Sequence, residues 1–148
     1  MTRSLILPFG VALALVLAGC GGGGGTGPDD NGNNGGDARV ILADPSFGTV
    51  IQEIFNRKGC AAGACHGSAM EADLDLRSGN SYGSLVDQPS FQTGVNRVIP
   101  GDATNSYLVV KLEGRQTVGA RMPLGGSPLD NIDITNIKNW IDQGAANN

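Results

Sequence analysis

The sequence predicts a mainly helical domain, and three observations support this. Two segments, one near position 50 and one near position 135, carry apolar residues at helical spacing between recognisable ends. No segment shows the sustained alternation of apolar and polar residues that would mark a half-buried strand. Long glycine-rich connections separate the helical segments, so the elements that can form a core are few and short.

The first predicted helix runs from Ser46 to Lys58. Its apolar residues lie at i, i+3, i+4, i+7 and i+8, which places them on one face. They are Phe47, Val50, Ile51, Ile54 and Phe55. Arg57 and Lys58 fall in the last turn, where cations suit the helix dipole. Gly59 offers the left-handed residue that commonly ends a helix.

The second predicted helix begins after Asp130, which can cap it, with Asp133 at the third helical position. Leu129 and Ile134 stand where a hydrophobic staple requires them. Ile134, Ile137 and Ile141 form an apolar stripe that Trp140 extends, and Gly144 ends the helix.

The segment between these helices is irregular. Residues 102–112 predict a short helix with Tyr107, Leu108 and Leu112 on its apolar side, whereas 73–76 alternates but is too short to predict a strand. The connections 67–81 and 113–128 are long for a compact domain, and such loops are usually functional. The whole chain has one Trp, two Tyr and four Phe, so a large apolar cofactor would supply core volume that side chains do not.

The N-terminal segment, residues 1–19, is predicted to be a signal peptide. Arg3 provides the positive start, and the apolar stretch Leu5–Leu17 is too short to span a bilayer of about 30 Å. Leu17-Ala18-Gly19-Cys20 resembles the lipobox of bacterial lipoproteins, which are cleaved before the cysteine and lipidated on it. The alternative is an ordinary secretory signal followed by a spare cysteine.

A lipidated Cys20 would begin a flexible tether, residues 20–36, that is rich in glycine and lacks apolar side chains. Multiple acyl chains give stable membrane anchoring. In bacterial lipoproteins an Asp after the lipidated cysteine favours retention in the inner membrane, so its absence here favours the outer membrane. The folded domain is then 37–148, in the periplasm or at the cell surface.

The residues that carry chemistry are Cys60 and Cys65, followed at once by His66, the single histidine of the chain. The standard attachment motif for c-type haem is C-x-x-C-H, in which the thiols bind the vinyl groups and the histidine binds iron. Here the spacer has four residues, all Ala or Gly, which are small enough for the loop to bulge. The pattern predicts covalent haem.

The alternative interpretation is a Cys60–Cys65 disulfide in a haem-free binding or structural lipoprotein, because exported domains form disulfides. It leaves the position of His66 beside the second cysteine unexplained. A thioredoxin-type dithiol is less well supported, since no βαβ pattern surrounds the motif.

Haem iron in an electron-transfer protein takes a second strong ligand, and the chain offers no second histidine. Met70 lies four residues after His66 and can hardly reach round the ring. Met122, in Arg121-Met122-Pro123, lies far enough along the chain to reach the opposite face. We therefore predict Met122 as the distal ligand. The alternative is that Met122 is a loop residue that fills a gap in the core.

From Ile54 to Ala145 the chain resembles bacterial cytochrome c domains of the planctomycete type. The resemblance implies a class I cytochrome c fold, thioether bonds at Cys60 and Cys65, and iron ligation by His66 and Met122. The four-residue spacer departs from the family pattern. The matching pieces are Ile54-Phe55, Cys65-His66-Gly67, Leu74-Asp75-Leu76, Val98-Ile99-Pro100-Gly101-Asp102, Ser106-Tyr107-Leu108, Arg121-Met122-Pro123 and Trp140-Ile141-Asp142-Gln143-Gly144-Ala145.

We therefore expect a membrane-anchored monohaem cytochrome that passes electrons to an unidentified redox partner protein and is not an enzyme. The rival within haem chemistry is an enzyme subunit in which Met122 is labile and iron binds a small ligand. Nucleic acid is not an expected partner, because the net charge is -4 and no basic cluster is present.

Overall fold

A computed structural model describes residues 39–148. The predicted signal peptide (1–19), the lipidation site Cys20 with its tether (20–36), and residues 37 and 38 lie outside the described part. The described part is mainly helical, as predicted. Its β structure is limited to two isolated bridges, Val86 with Val98 and Pro89 with Asn96. None of the helices found between residues 39 and 148 is long and apolar enough to cross a membrane.

The first predicted helix is present, but it starts with a wider turn. A π-helical turn, Phe47–Ile51, continues into α1, Gln52–Arg57. The last residue of the chain satisfies the first backbone donors, since Asn148 accepts from the N–H of Phe47 through Oδ1 and from the N–H of Gly48 through its carbonyl, both at 2.8 Å. Gly59 has φ +70° directly after the helix, which confirms the predicted left-handed end.

The second predicted helix is confirmed as α4, Asn131–Asp142. The Asp130 carboxylate accepts a hydrogen bond from the N–H of Asp133 at 3.0 Å, which is the predicted N-cap. Asp133 does not complete a capping box, because its carboxylate binds basic side chains instead. Gly144 follows the helix at φ +101°.

In the middle of the chain the structure differs from the predicted helix over 102–112. The helix α3, Tyr107–Glu113, begins five residues later. The Asp102 carboxylate accepts from the N–H of Asn105 at 3.0 Å, which closes a turn that competes with a helical start. A short helix that the sequence did not predict, α2 at Ser81–Leu85, follows the 67–80 connection.

The π-helical turn that leads into α1 packs on α4, and α3 packs on α4 as well. The Phe47 ring lies 5.0 Å from the Trp140 ring and 5.2 Å from the Tyr82 ring, centroid to centroid. Ile51, Ile54 and Phe55 of the predicted stripe are buried. The two ends of the domain therefore pack against each other, and α1 holds the segment that follows it against this core.

One buried carboxylate joins the two ends electrostatically. Asp133 is 1% exposed, and its Oδ1 accepts from Arg39 at 3.0 Å and from Arg57 at 2.8 Å, while its Oδ2 lies 3.4 Å from Lys58 Nζ. These cations come from the N-terminal segment and from the end of α1. Asp133 raises the pKa of Arg57, although burial of the guanidinium opposes this. The end of α1 is thus tied to the start of α4.

Replacing Asp133 with Ala should lower the free energy of unfolding by about 2 kcal/mol, because three cations lose their common partner. This loss of stability is smaller than the loss expected when a fully buried ion pair is broken, because the three cations are 25–44% exposed. Urea unfolding measures it. Glu53→Ala, which removes the exposed i,i+4 partner of the same Arg57, should cost less than about 0.5 kcal/mol. Equal losses in the two variants would contradict the role of Asp133.

Candidate haem-binding site

The segment Cys60–His66 forms a compact closed loop directly after α1. The N–H of Cys60 donates to Phe55 O at 2.9 Å, which continues the helix end, and the N–H of His66 donates to Cys60 O at 3.1 Å. The spacer residues Ala62, Gly63 and Ala64 are exposed. The additional length of the spacer therefore bulges into solvent, while the two ends of the motif stay within hydrogen-bonding distance of each other.

Gly67 is required by this loop. Its N–H donates to Ala62 O at 3.0 Å, and a Cβ at this position would lie 2.6 Å from the same oxygen and closer still to Ala61 O. Real Cβ atoms do not approach a carbonyl so closely. Glycine at position 67, directly after Cys65-His66, thus has a steric reason: the carbonyl groups of Ala61 and Ala62 lie where a side chain would begin.

A largely apolar cavity of about 1120 Å³, including the part open to solvent, faces this loop. The cavity brings together all four residues that the sequence predicts for haem: Cys60, Cys65, His66 and Met122. The complete lining is Phe55, Lys58, Gly59, Cys60, Cys65, His66, Ala72, Leu74, Leu76, Leu85, Ser90, Gln92, Arg97, Tyr107, Leu108, Lys111, Leu112, Met122, Pro123, Leu124 and Leu129.

The His66 ring has a defined orientation. Its Nδ1 lies 2.8 Å from Glu71 O, and since a carbonyl oxygen only accepts, Nδ1 carries the proton and donates. Nε2 then keeps its lone pair. Burial lowers the pKa of His66, so the ring is neutral at pH 7. A histidine held through one nitrogen by a backbone carbonyl is the usual arrangement of a metal ligand.

Cys60 carries a free thiol and Cys65 is disulfide-bonded, so the two motif cysteines are not bonded to each other in this structure. Cys60 is half-buried, and burial raises the pKa of its thiol to about 11. The thiol is therefore protonated at neutral pH, and it lines the cavity rather than facing bulk solvent.

Met122 lies in the loop that follows α3. Its N–H donates to Lys111 O at 3.0 Å, and Arg121 Nε donates to Leu112 O at 2.9 Å. These bonds hold the loop against the end of α3. The Met122-Pro123 peptide bond is cis. Met122 lines the cavity and packs against the core, whereas Met70 is 39% exposed and does not line the cavity. The geometry therefore places Met122, and not Met70, within reach of a ligand bound beside His66.

The backbone that orients His66 is itself strained. Met70, Ala72 and Asp73 have φ values of 50°, 58° and 57°, each of which costs a non-glycine residue about 1 kcal/mol. Arg97, which is 9% exposed, donates from Nη2 to Ala72 O at 3.1 Å and to Asp73 O at 2.8 Å. Its Nη1 donates to Ser84 O at 2.8 Å. One guanidinium thus fixes the segment whose Glu71 carbonyl binds His66.

Arg97 and the Glu71 carbonyl are not evident from the sequence, because backbone acceptors leave no residue-type signature. Lys111 was also not predicted; it lines the cavity from α3, and burial lowers its pKa. A signal for Lys111 was present: it falls on the same side of the predicted helix as Tyr107, Leu108 and Leu112.

Comparisons with known proteins add no relative. No protein-family model, curated protein or solved structure matches the chain.

Replacing Arg97 with Met should lower the free energy of unfolding by about 2 kcal/mol, since three backbone carbonyl groups lose a charged donor. Chemical unfolding measures the loss. Arg115→Met is the matched control, because Arg115 also donates to a backbone carbonyl, Thr104 O, but is 43% exposed. A change within about 0.5 kcal/mol is expected there. If Arg97→Met changed the free energy of unfolding as little as Arg115→Met, the three hydrogen bonds of the Arg97 guanidinium would not contribute to stability.

Proposed function

We propose that this protein is a monohaem c-type cytochrome that transfers electrons at the bacterial cell envelope. The observation that carries the proposal is that Cys60, Cys65, His66 and Met122 line the same largely apolar cavity. These residues are separated by up to 62 positions in the chain, and they are the set that haem attachment and axial ligation require.

The chemistry of the donor set favours haem over a bare metal ion. Among residues 39–148, no three His, Cys, Asp or Glu side chains lie together as a metal site. A metal held by one imidazole and one thioether alone would lack donors. A porphyrin would supply four nitrogens, and His66 and Met122 would then be the residues that add an imidazole and a thioether to hold the iron. The apolar lining suits the faces of the macrocycle.

Each residue has a distinct task in the proposed site. Haem attachment would need both cysteines as thiols, so the Cys65 disulfide would first be reduced by a thiol reductant. The Cys60 and Cys65 thiols would then add across the two vinyl groups, each sulfur bonding to one vinyl carbon and the hydrogen passing to the other. Glu71 O holds the Nδ1 proton of His66, which leaves Nε2 for the metal. Met122 supplies a thioether, which favours the reduced form and raises the potential. When bound, the haem provides an iron that alternates between ferric and ferrous states.

The packing of the domain ends supports a class I cytochrome c arrangement, in which the N- and C-terminal helices cross beside the haem. Here the π-helical turn before α1 packs on α4, and α1 leads directly into Cys60. The proposal includes a lipid anchor at Cys20, which would hold the domain near the membrane while the tether lets it meet a redox partner protein.

Haem attachment is testable in protein expressed with a cytochrome c maturation system. The denatured wild type should keep haem stain on a gel and give a pyridine haemochrome spectrum. Cys60→Ala and Cys65→Ala should each lower the yield of attached haem, and His66→Ala should abolish the low-spin spectrum.

Cys20→Ser is the matched control for these cysteine variants. It should keep haem but move from the membrane fraction to the soluble fraction, because it cannot be lipidated. A wild-type intact mass equal to that of the processed chain without haem would refute the proposal. A mass two hydrogens lower than that would favour the disulfide-bonded lipoprotein instead.

The distal ligand is tested by Met122→Ala against Met70→Ala. Loss of the thioether should remove the sulfur-to-iron absorption band, shift the reduction potential downwards and open the iron to carbon monoxide or cyanide. Met70→Ala should leave all three properties unchanged, because Met70 does not line the cavity. The reverse pattern would overturn the assignment of Met122 but not haem attachment.

A further inference from the structure

The cavity contains a buried cation without an acidic partner. Lys111 is 9% exposed, and its Nζ lies 3.3 Å from Gln92 Oε1, 3.4 Å from Val118 O and 5.8 Å from the centroid of the Tyr107 ring. These are neutral groups at long distances. No carboxylate in the described part of the chain forms an ion pair with Lys111.

The other basic residues of the lining are already satisfied. Lys58 lies near the carboxylates of Asp133 and Asp130, and Arg97 donates to three backbone carbonyls. No Asp or Glu lines the cavity among residues 39–148. Burying an ammonium group is costly unless it is paired. The cavity therefore presents to its occupant one ammonium group that has only neutral hydrogen-bond partners and no carboxylate partner.

We propose that Lys111, with Gln92 and the Tyr107 hydroxyl, forms a carboxylate-binding subsite for a haem propionate. This inference rests on the proposed function. A haem that is bonded through its vinyl groups to Cys60 and Cys65 carries its two propionates on another edge of the ring. Lys111 belongs to α3 rather than to the motif. The occupant that matches the cavity is a planar apolar ligand with an anionic end.

Gly119 makes room for this cluster. It has φ +69°, and a Cβ there would lie 3.2 Å from Lys111 Nζ and 3.1 Å from Gln92 Nε2. A side chain at position 119 would therefore crowd both groups. The Tyr107 hydroxyl lies 3.4 Å from Gln92 Oε1, so three polar groups from α3 and the 88–97 loop converge at one side of an otherwise apolar lining.

The subsite has a redox consequence. A cation beside a propionate offsets its negative charge, and less negative charge near the iron favours the ferrous form. Lys111 should therefore raise the reduction potential. A covalently attached haem would stay in the protein when Lys111 is replaced. The contribution of Lys111 to the reduction potential can therefore be measured by comparing haem-loaded variants.

The experiment compares Lys111→Met and Lys111→Arg in haem-loaded protein. Lys111→Met should shift the reduction potential downwards and alter the propionate bending mode in resonance Raman spectra, with His66 and Met122 ligation unchanged. Lys111→Arg keeps the positive charge, so it should leave the reduction potential and the propionate bending mode close to those of the wild type. Lys138→Met is the matched control: Lys138 pairs with Glu113 on the surface and does not line the cavity, so the same charge change should leave the propionate mode unaltered.

Gln92→Leu provides a second variant on a different element, should Lys111→Met yield no mature protein. It should alter the same propionate mode to a smaller extent. Haem-loaded variants with the wild-type propionate mode and potential would overturn the subsite while leaving the proposed function intact. Failure to attach haem to the wild-type chain would overturn the proposed function itself, so the two failures are distinguishable.

Discussion

The contact between Asp133 and three basic side chains is the interaction on which the site depends. It joins Arg39, Arg57 and Lys58 to the first turn of α4, and Lys58 is separated from Cys60 by only Gly59. The end of α1 is therefore fixed electrostatically as well as by the apolar packing of Phe55. Because the motif begins where α1 ends, the position of Cys60 follows from a carboxylate located 73 residues further along the chain.

A second constraint acts on the other side of the motif, where the chain runs through three left-handed residues between Met70 and Asp73. Such a conformation persists when surrounding groups over-determine it, and the Arg97 guanidinium does so through two adjacent carbonyls. The strain serves a purpose, since the same turn directs Glu71 O at His66 Nδ1. The His66 side chain in the cavity lining is thus held by a backbone oxygen, whereas Met122 is held by the loop that bonds it to the end of α3.

The sequence predicted the parts of this architecture that are local. The apolar period and the end signals of α1 and α4 were sufficient, because Asp130, Gly59 and Gly144 act on residues a few positions away. The predicted start of α3 at residue 102 was wrong, because the turn closed by Asp102 forms there in place of a helical start. The helix α2 was not predicted, because Ser81–Leu85 has no apolar period. Arg97 could not be found in this way, since its acceptors are carbonyl groups 13 to 25 residues distant. The gathering of Cys60, His66 and Met122 in one cavity was expected from the ligands that haem iron needs and from the resemblance, because no local rule brings position 122 to position 66.

The exposed spacer between Cys60 and Cys65 has a consequence for how such sites are identified and for how they change. Ala62, Gly63 and Ala64 lie on the outside of the loop, while the hydrogen bond from His66 N to Cys60 O closes its base. Side chains at the tip of this loop can therefore change without displacing the groups that face the cavity. The Ala62 carbonyl is different, because it accepts from the N–H of Gly67 and so belongs to the closed base. A change in the spacer that kept this carbonyl, the glycine beneath it and the carbonyl behind the histidine would alter the protein surface and leave the cavity lining in place.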